Sequence, residues 1–241
     1  MANQNQWQIL REEIRRQYEL FDSLTLRCIE EYSNSGKRIH CGKGCCECCN
    51  LAVNSTYSEA LCVAEILTEA QTALIKAHAD KLLKHIAEVS DLKSYLGMQR
   101  KIIGFCPLLT DNRACGVYGQ RPFSCRSLLS TLDNAWCATD FALLSPAEKT
   151  AFMESLDRQA VAFPMHYLAA SRDLGQQFES RSALALAATF GFTLSGNLPF
   201  LIYLEKEYGL GSIMCHGYSV TMDFLRQAGL FNPFLVTVEK I

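Results

Sequence analysis

The sequence contains no apolar run long enough to cross a bilayer. The most tempting stretch, Ala183 to Phe192, falls well short of the roughly 20 residues that a spanning helix needs. No export leader is expected either. The opening MANQNQWQILREEIRRQ has no apolar core and no small-residue cleavage site, so a cytoplasmic, reducing compartment is expected and no membrane partner. A strong charge of either sign is missing too. With 23 Lys+Arg against 25 Asp+Glu, the formal net charge is -2, which is not the basic footprint of a nucleic-acid binder. Neither Gly-x-Gly-x-x-Gly nor Gly-x-x-x-x-Gly-Lys-Ser/Thr occurs, so no nucleotide cofactor is indicated. No internal repeat or low-complexity linker divides the chain. Its hydrophobic fraction of 49% is enough to bury a sizeable core.

What the chain has in excess is cysteine. There are 12 in 241 residues, too few for a small disulfide scaffold. In a reducing compartment, clustered cysteines read as metal ligands or redox groups. Nine fall in two batches: Cys41, Cys45, Cys46, Cys48 and Cys49, then Cys106, Cys115, Cys125 and Cys137. Outside them, Cys28 and Cys62 read as small apolar core residues. Cys215 has His216 beside it, but neighbouring side chains point apart, so the two are not read as a catalytic pair.

Spacing shows how the first batch could act. Cys45 and Cys48 form a Cys-x-x-Cys pair, which can turn two thiolates toward one ion. Were the segment helical, Cys41, Cys45 and Cys48 or Cys49 would share a stripe. Were it a tight loop, the pair would look like half of a zinc knuckle. Cys48 and Cys49 are adjacent, and their side chains diverge by about 100° on a helix or to opposite faces on a strand. They suit two metal centres better than one small tetrahedral ion. In the second batch, Arg121 and Arg126 flank Cys125. Both could offset the negative charge of a thiolate-bound centre and donate hydrogen bonds to sulfur.

Around these batches the pattern is mainly helical. Trp7, Leu10, Ile14, Tyr18, Phe21, Leu24 and Cys28 recur at steps of three and four, the stripe of an amphipathic helix that Asn34-Ser35-Gly36 should stop. Thr56-Tyr57-Ser58-Glu59 has the form of a capping box, predicting one long helix to about Val89. Lys101 to Phe105 reads as a short strand, in an irregular stretch that bound metal would hold. Ser145-Pro146-Ala147-Glu148 opens another helix. Pro164 and Pro199 mark breaks or starts, and Gly229 a stop before a short tail. The expected division is a cysteine-cluster domain over 1–145 and a helical extension over 146–241, packed on the first part. Among the histidines, His40 reads as a solvated loop residue. His78 and His85 should face water on the long helix, and His166 should be a core residue. Glu59 reads as a cap and Glu65 as solvated.

Taken together, these elements resemble the YkgJ-type cysteine-cluster family, described as a zinc- or iron-chelating domain. The opening Cys-rich element is similar to Cys41, Cys45, Cys48 and Cys49. The Cys-Pro-x-Leu element is similar to Cys106 to Leu109. The Cys-x-Ile-Tyr-x-x-Arg-Pro-x-x-Cys-Arg element is similar to Cys115, Val117, Tyr118, Arg121, Pro122, Cys125 and Arg126, with Cys137 downstream. The match spans about residues 41 to 137. Cys46 departs from it, standing where the family commonly has glycine. The resemblance implies a ligand set of Cys41, Cys45, Cys48, Cys49, Cys106, Cys115, Cys125 and Cys137. An iron–sulfur cluster or iron is preferred and zinc is the alternative.

Three functions are then open: a metal- or cluster-binding protein with a redox or electron-transfer role, a structural zinc module for protein interaction, and a protein-modifying enzyme similar to flagellin lysine N-methylase. No catalytic residue, oligomeric state or particular protein partner is assigned.

Overall fold

The computed structural model describes residues 2–240, and the chain it shows is mainly α-helical. The N-terminal stripe forms α1 (Ala2–Asn34). Trp7, Leu10, Ile14, Tyr18 and Phe21 are buried along one face, and the helix stops at Asn34 with Gly36 at a φ of 79°. Strand β1 (Asn54–Thr56) leads into the expected capping box. Thr56 and Glu59 satisfy each other's backbone N–H groups at the start of α2 (Tyr57–Ile66).

The long helix expected to reach Val89 is instead two. A second capping box, Thr68 with Gln71, starts α3 (Glu69–Ile86), and Leu67 between them is extended at φ -71° and ψ 136°. Threonine followed three positions on by glutamine is itself a start signal. Within a hydrophobic periodicity that runs through it, that signal is easily overridden. Helix α4 (Leu92–Met98) passes into a π-helical turn, Gln99–Ile103, which Gly104 closes at a φ of 86°. The strand expected from Lys101 to Phe105 is therefore absent. The β-branched Ile102-Ile103 pair misled, because helical continuation from α4 is what lets Tyr95, Met98 and Ile103 all reach the core.

The cysteine-rich stretch that follows carries only short helices, α5 (Phe123–Arg126) and α6 (Ala135–Ala138). Beyond it, α7 (Pro146–Ser155) opens on the expected Ser145–Glu148 box. Helix α8 (Ala169–Phe190) ends on Gly191, left-handed at φ 81°, and turns into β2 (Phe192–Asn197). Asn197 caps α9 (Leu198–Tyr208), which has Pro199 in its first turn, and α10 (Leu210–Met214) and α11 (Tyr218–Gln227) follow. The tail after Gly229 is not a loose end. It forms β3 (Val236–Lys240), and the three strands make an antiparallel sheet in the order β1-β2-β3.

Three apolar clusters hold these elements. The largest runs from Trp7 through α2 and α3 to α9 and Val236. A second, largely aromatic, joins Ile14, Tyr18, Phe21, Cys62, Phe123 and Phe178. A third unites Phe152, Leu156 and Val161 with Trp136 and Phe141. Segments before and after Ser145 thus share cores, and β2 is central in a sheet whose first strand lies at residue 54. Among the described residues, no helix is long and apolar enough to cross a membrane.

Gly196 is where strand pairing is tightest. A Cβ there would lie 2.1 Å from the Leu235 carbonyl oxygen, so the backbone would have to move. Gly196→Ala should lower stability by about 1–3 kcal/mol. An unchanged urea midpoint would show that β2 and β3 are not so closely apposed.

His78, expected to face water, is buried on α3 at 8% exposure and its Nε2 has no hydrogen-bond partner. It flanks the Ile75–Ala79–Leu82 stripe, near enough to the core to be covered. Burial, aided by Lys81, lowers its pKa to about 4. The unfolded chain, with an ordinary value near 6.5, binds the extra proton first. Stability from this site is complete above about pH 6.5 and is lost as pH falls toward 4. His78→Gln should reduce the acid-induced loss by up to about 3 kcal/mol. Parallel pH profiles for the two proteins would contradict this.

Candidate metal centre

Direct hydrogen bonds tie the two cysteine batches together although about sixty residues separate them. The His40 backbone N–H donates to the Ser130 carbonyl at 2.9 Å, and the Ser130 N–H donates to Cys41 Sγ at 3.1 Å. Asn134 Nδ2 donates to Cys45 Sγ at 3.4 Å, and Arg113 Nε to Cys46 Sγ at 3.0 Å. The Cys106 N–H donates to the Cys49 carbonyl at 2.8 Å. The first batch is a glycine-loosened loop running into a single 3-10 turn, Glu47–Asn50, so Cys48 and Cys49 lie on a turn rather than on a long helix. In the second, Cys106 and Cys115 flank a narrow loop closed by the Leu109–Cys115 bridge and by the Gly116 N–H bonded to the Leu108 carbonyl at 2.8 Å. Cys125 sits on α5 and Cys137 on α6.

Within this region the thiols fall into two electrostatic neighbourhoods. Burial pushes Cys41 up to about 11, and the nearby thiols of Cys137, Cys48 and Cys45 add to the effect. Cys137 is raised by burial, with Cys48 and Cys45 again adding. On the other side, burial pushes Cys106 up to about 12, assisted by Cys115 and Cys48. Cys125 is held well above the usual thiol range, first by burial and then by Cys106, Cys48 and Cys115, against the opposing charge of Arg121. Cys48 belongs to both neighbourhoods, and its own ionisation is opposed first by its hydrogen bond with Cys49 and then by burial. Buried thiols so placed cannot ionise together unless a cation compensates them. The donor set is thus the kind that a soft or borderline metal ion satisfies.

The geometry is not that of an assembled coordination sphere. Among the described residues, no three His, Cys, Asp or Glu side chains converge closely enough to hold one ion. Several sulfurs are instead engaged with protein groups: Cys41 with Ser130, Cys46 with Arg113, and Cys137 with His166, whose Nε2 is 3.3 Å from its Sγ. His166 is buried, as a core residue should be, and burial lowers its pKa to about 4, so it faces the thiol as a neutral ring. Sequence spacing gave no hint of this contact, because 29 positions separate the partners.

Arg121 and Arg126 both line the cavity beside the cysteines but have different partners. Arg121 stacks over Tyr118 at 3.6 Å, donates to the Tyr118 carbonyl, and acts on Cys48 and Cys125 through its charge. Arg126 is a structural clamp. It pairs with Asp22 at 2.6 Å, donates to the Arg121 and Gly119 carbonyls, and lies 4.1 Å over the Tyr18 ring. The guanidinium that does bond sulfur is that of Arg113, held at a φ of 61° and paired also with Glu47 at 3.0 Å. Asp111-Asn112 just before it is a pair of the kind that starts turns. A cavity of about 380 Å³ opens over the region between α1 and the cysteines, with Cys41, Cys45, Cys48, Cys125 and Arg121 on its wall. Cys62 lies in the aromatic cluster instead, and Cys28 and Cys215 are half-buried.

No family model, curated protein or solved structure matches the chain.

One carboxylate underpins the arrangement. Glu59 is fully buried and accepts from Thr56 N and Oγ1 at 3.0 and 2.9 Å, from the Phe123 N–H at 2.8 Å and from Tyr18 Oη at 3.4 Å. It therefore caps α2 and also fixes the start of the short helix bearing Cys125. Glu59→Ala would leave buried donors unmet and should cost about 3 kcal/mol or more. Hydrogen exchange at the Phe123 amide should accelerate with it; unaltered protection there would remove Glu59 as the anchor of α5.

Proposed function

We propose that the chain binds a metal centre through thiolates of its two cysteine batches, as two adjoining sites. Cys41, Cys45 and Cys137 serve one, and Cys106, Cys115 and Cys125 the other, with Cys48 and Cys49 between them. The observation that carries this reading is the position of Cys48, which shares one cavity wall with Cys41 and Cys45 of one group and Cys125 of the other. Eight thiolates supply four to each of two centres, the number taken by an iron–sulfur cubane or a tetrahedral zinc. Closure on a metal requires the thiols to give up the bonds in which they donate, such as Cys41 Sγ to the Leu128 carbonyl at 3.5 Å, while N–H donors to sulfur such as Ser130 can stay. Arg121 supplies positive charge beside Cys48 and Cys125, which offsets the anionic character of four-thiolate centres.

Iron–sulfur is preferred to zinc, in keeping with the resemblance to the YkgJ-type cysteine-cluster pattern. A bound cluster would supply one-electron redox chemistry. The protein's own part would be to hold the thiolates, to limit solvent with α1 and to set the potential through nearby cations and backbone N–H groups such as that of Ser130. A zinc-filled site would contribute mainly folding free energy.

Anaerobic purification followed by iron, acid-labile sulfide and zinc analysis tests the reading directly. Brown protein with iron and sulfide is the expected result, and a colourless protein with stoichiometric zinc would overturn the iron preference. Cys45→Ser and Cys125→Ser should each lower bound metal by about half, one centre apiece, while Cys62→Ser leaves it unchanged. Full metal in all three variants would exclude the two-batch site.

A further inference from the structure

A second cavity, of about 480 Å³, lies on another side of the cysteine region, under α6 and α7. Trp136, Phe141 and Phe152 form one wall, their rings 4.6 to 6.1 Å apart. Met153 adds a polarisable thioether. A cavity of this size and lining is that of a small-molecule site, and aromatic walls favour a flat ring presented edge-to-face or offset.

The polar groups around it are one-sided in charge. Arg100 and Lys149 both line the cavity, and no carboxylate does. Among the described residues, neither cation forms an ion pair. The acids nearby have their own partners: Asp140 pairs with Lys101 at 3.2 Å and feels the charge of Arg100 only after that of Lys101, and Glu148 accepts from the Ser145 N–H at 2.8 Å. Arg100 is positioned rather than loose, since Nη1 donates to the Thr139 carbonyl at 2.6 Å and Nη2 to the Cys137 carbonyl at 3.2 Å. Those two bonds use two of the five guanidinium N–H donors, leaving three for a ligand. A fixed, partly buried guanidinium with spare donors is a carboxylate-binding group.

We propose that this cavity is a binding site for a small aromatic carboxylate, with its ring against Trp136, Phe141 and Phe152 and its carboxylate toward Arg100 and Lys149. The site does not depend on the metal reading, although Cys137 and His166 also border the cavity, so an occupant would sit beside the cysteine region.

Isothermal titration of the protein as purified, with 2-naphthoate, 2-naphthylmethanol and 2-naphthylmethylammonium, tests it. The three probes share a ring system and differ in charge. 2-Naphthoate should bind at least about tenfold more tightly than the alcohol, and the ammonium compound most weakly. Lys149 is exposed, so Lys149→Glu should fold normally and weaken 2-naphthoate by about fivefold or more. Met153→Trp, which fills the cavity, should abolish binding, with its thermal unfolding checked against wild type. Metal content is measured on every variant, so loss of the ligand site is distinguished from loss of the metal centre. Absence of 2-naphthoate binding, equal affinity for all three probes, or indifference to Lys149→Glu would each overturn the proposal.

Discussion

The buried carboxylate of Glu59 is the constraint around which the cysteine region is organised. It lies where α1, the start of α2 and the short α5 meet, and it accepts from a residue of each. A carboxylate withdrawn from water is costly unless its oxygens are satisfied. Here burial raises its pKa, while the Phe123 N–H, the Thr56 N–H and hydroxyl, and the Tyr18 hydroxyl oppose that rise. Removing any of the three elements would strand the charge. That gives the aromatic cluster of Tyr18, Phe21, Phe123 and Phe178 a polar counterpart that fixes its register, since apolar packing alone is tolerant of small displacements.

From this anchor outward, ordinary secondary structure gives way to side-chain and backbone ties. The stretch from Gly104 to Ser145 holds little regular structure, and its backbone groups must be satisfied one at a time. Arg126 takes two carbonyls while pairing with Asp22. Arg100 takes two more, at Cys137 and Thr139. Ser124 Oγ donates to the Asn54 carbonyl at 2.6 Å, which holds the Cys125 helix to the edge of the sheet. Arginine is suited to this work because one planar group can close several carbonyls at once.

The helices that could be read from residues alone were those with a periodic stripe, as in α1, or a capping box, as at the starts of α2 and α7. Elements that depend on distant partners were not legible. The strands β1, β2 and β3 are three to six residues long and come from residues near 55, 195 and 238, so no local hairpin signal announces them. The π-helical turn at Gln99 is decided by what the core needs from Tyr95, Met98 and Ile103, which propensity does not register, whereas the split at Thr68 has a local capping box within a continuing periodicity. In the candidate site, cysteine spacing identified the two batches but not their ties, because Ser130, Asn134, Arg113 and His166 reach sulfur from 29 to 89 positions away.

The vicinal pair shows what the turn geometry adds. Cys48 and Cys49 occupy a 3-10 turn, in which successive side chains are separated by about 120°. The two thiols still lie near enough for Cys49 to hydrogen-bond Cys48, yet each can lean toward a different neighbour. Cys48 is close enough to Cys41 and Cys137, and also to Cys106 and Cys125, for its charge to act on all four. The Cys49 carbonyl meanwhile receives the Cys106 N–H, holding that side of the turn against the second batch. A single four-thiolate centre would use four of the eight thiols, whereas two centres meeting at this turn would use all eight. On the proposed reading, the adjacency of Cys48 and Cys49 is therefore the feature that divides eight thiolates into two sets.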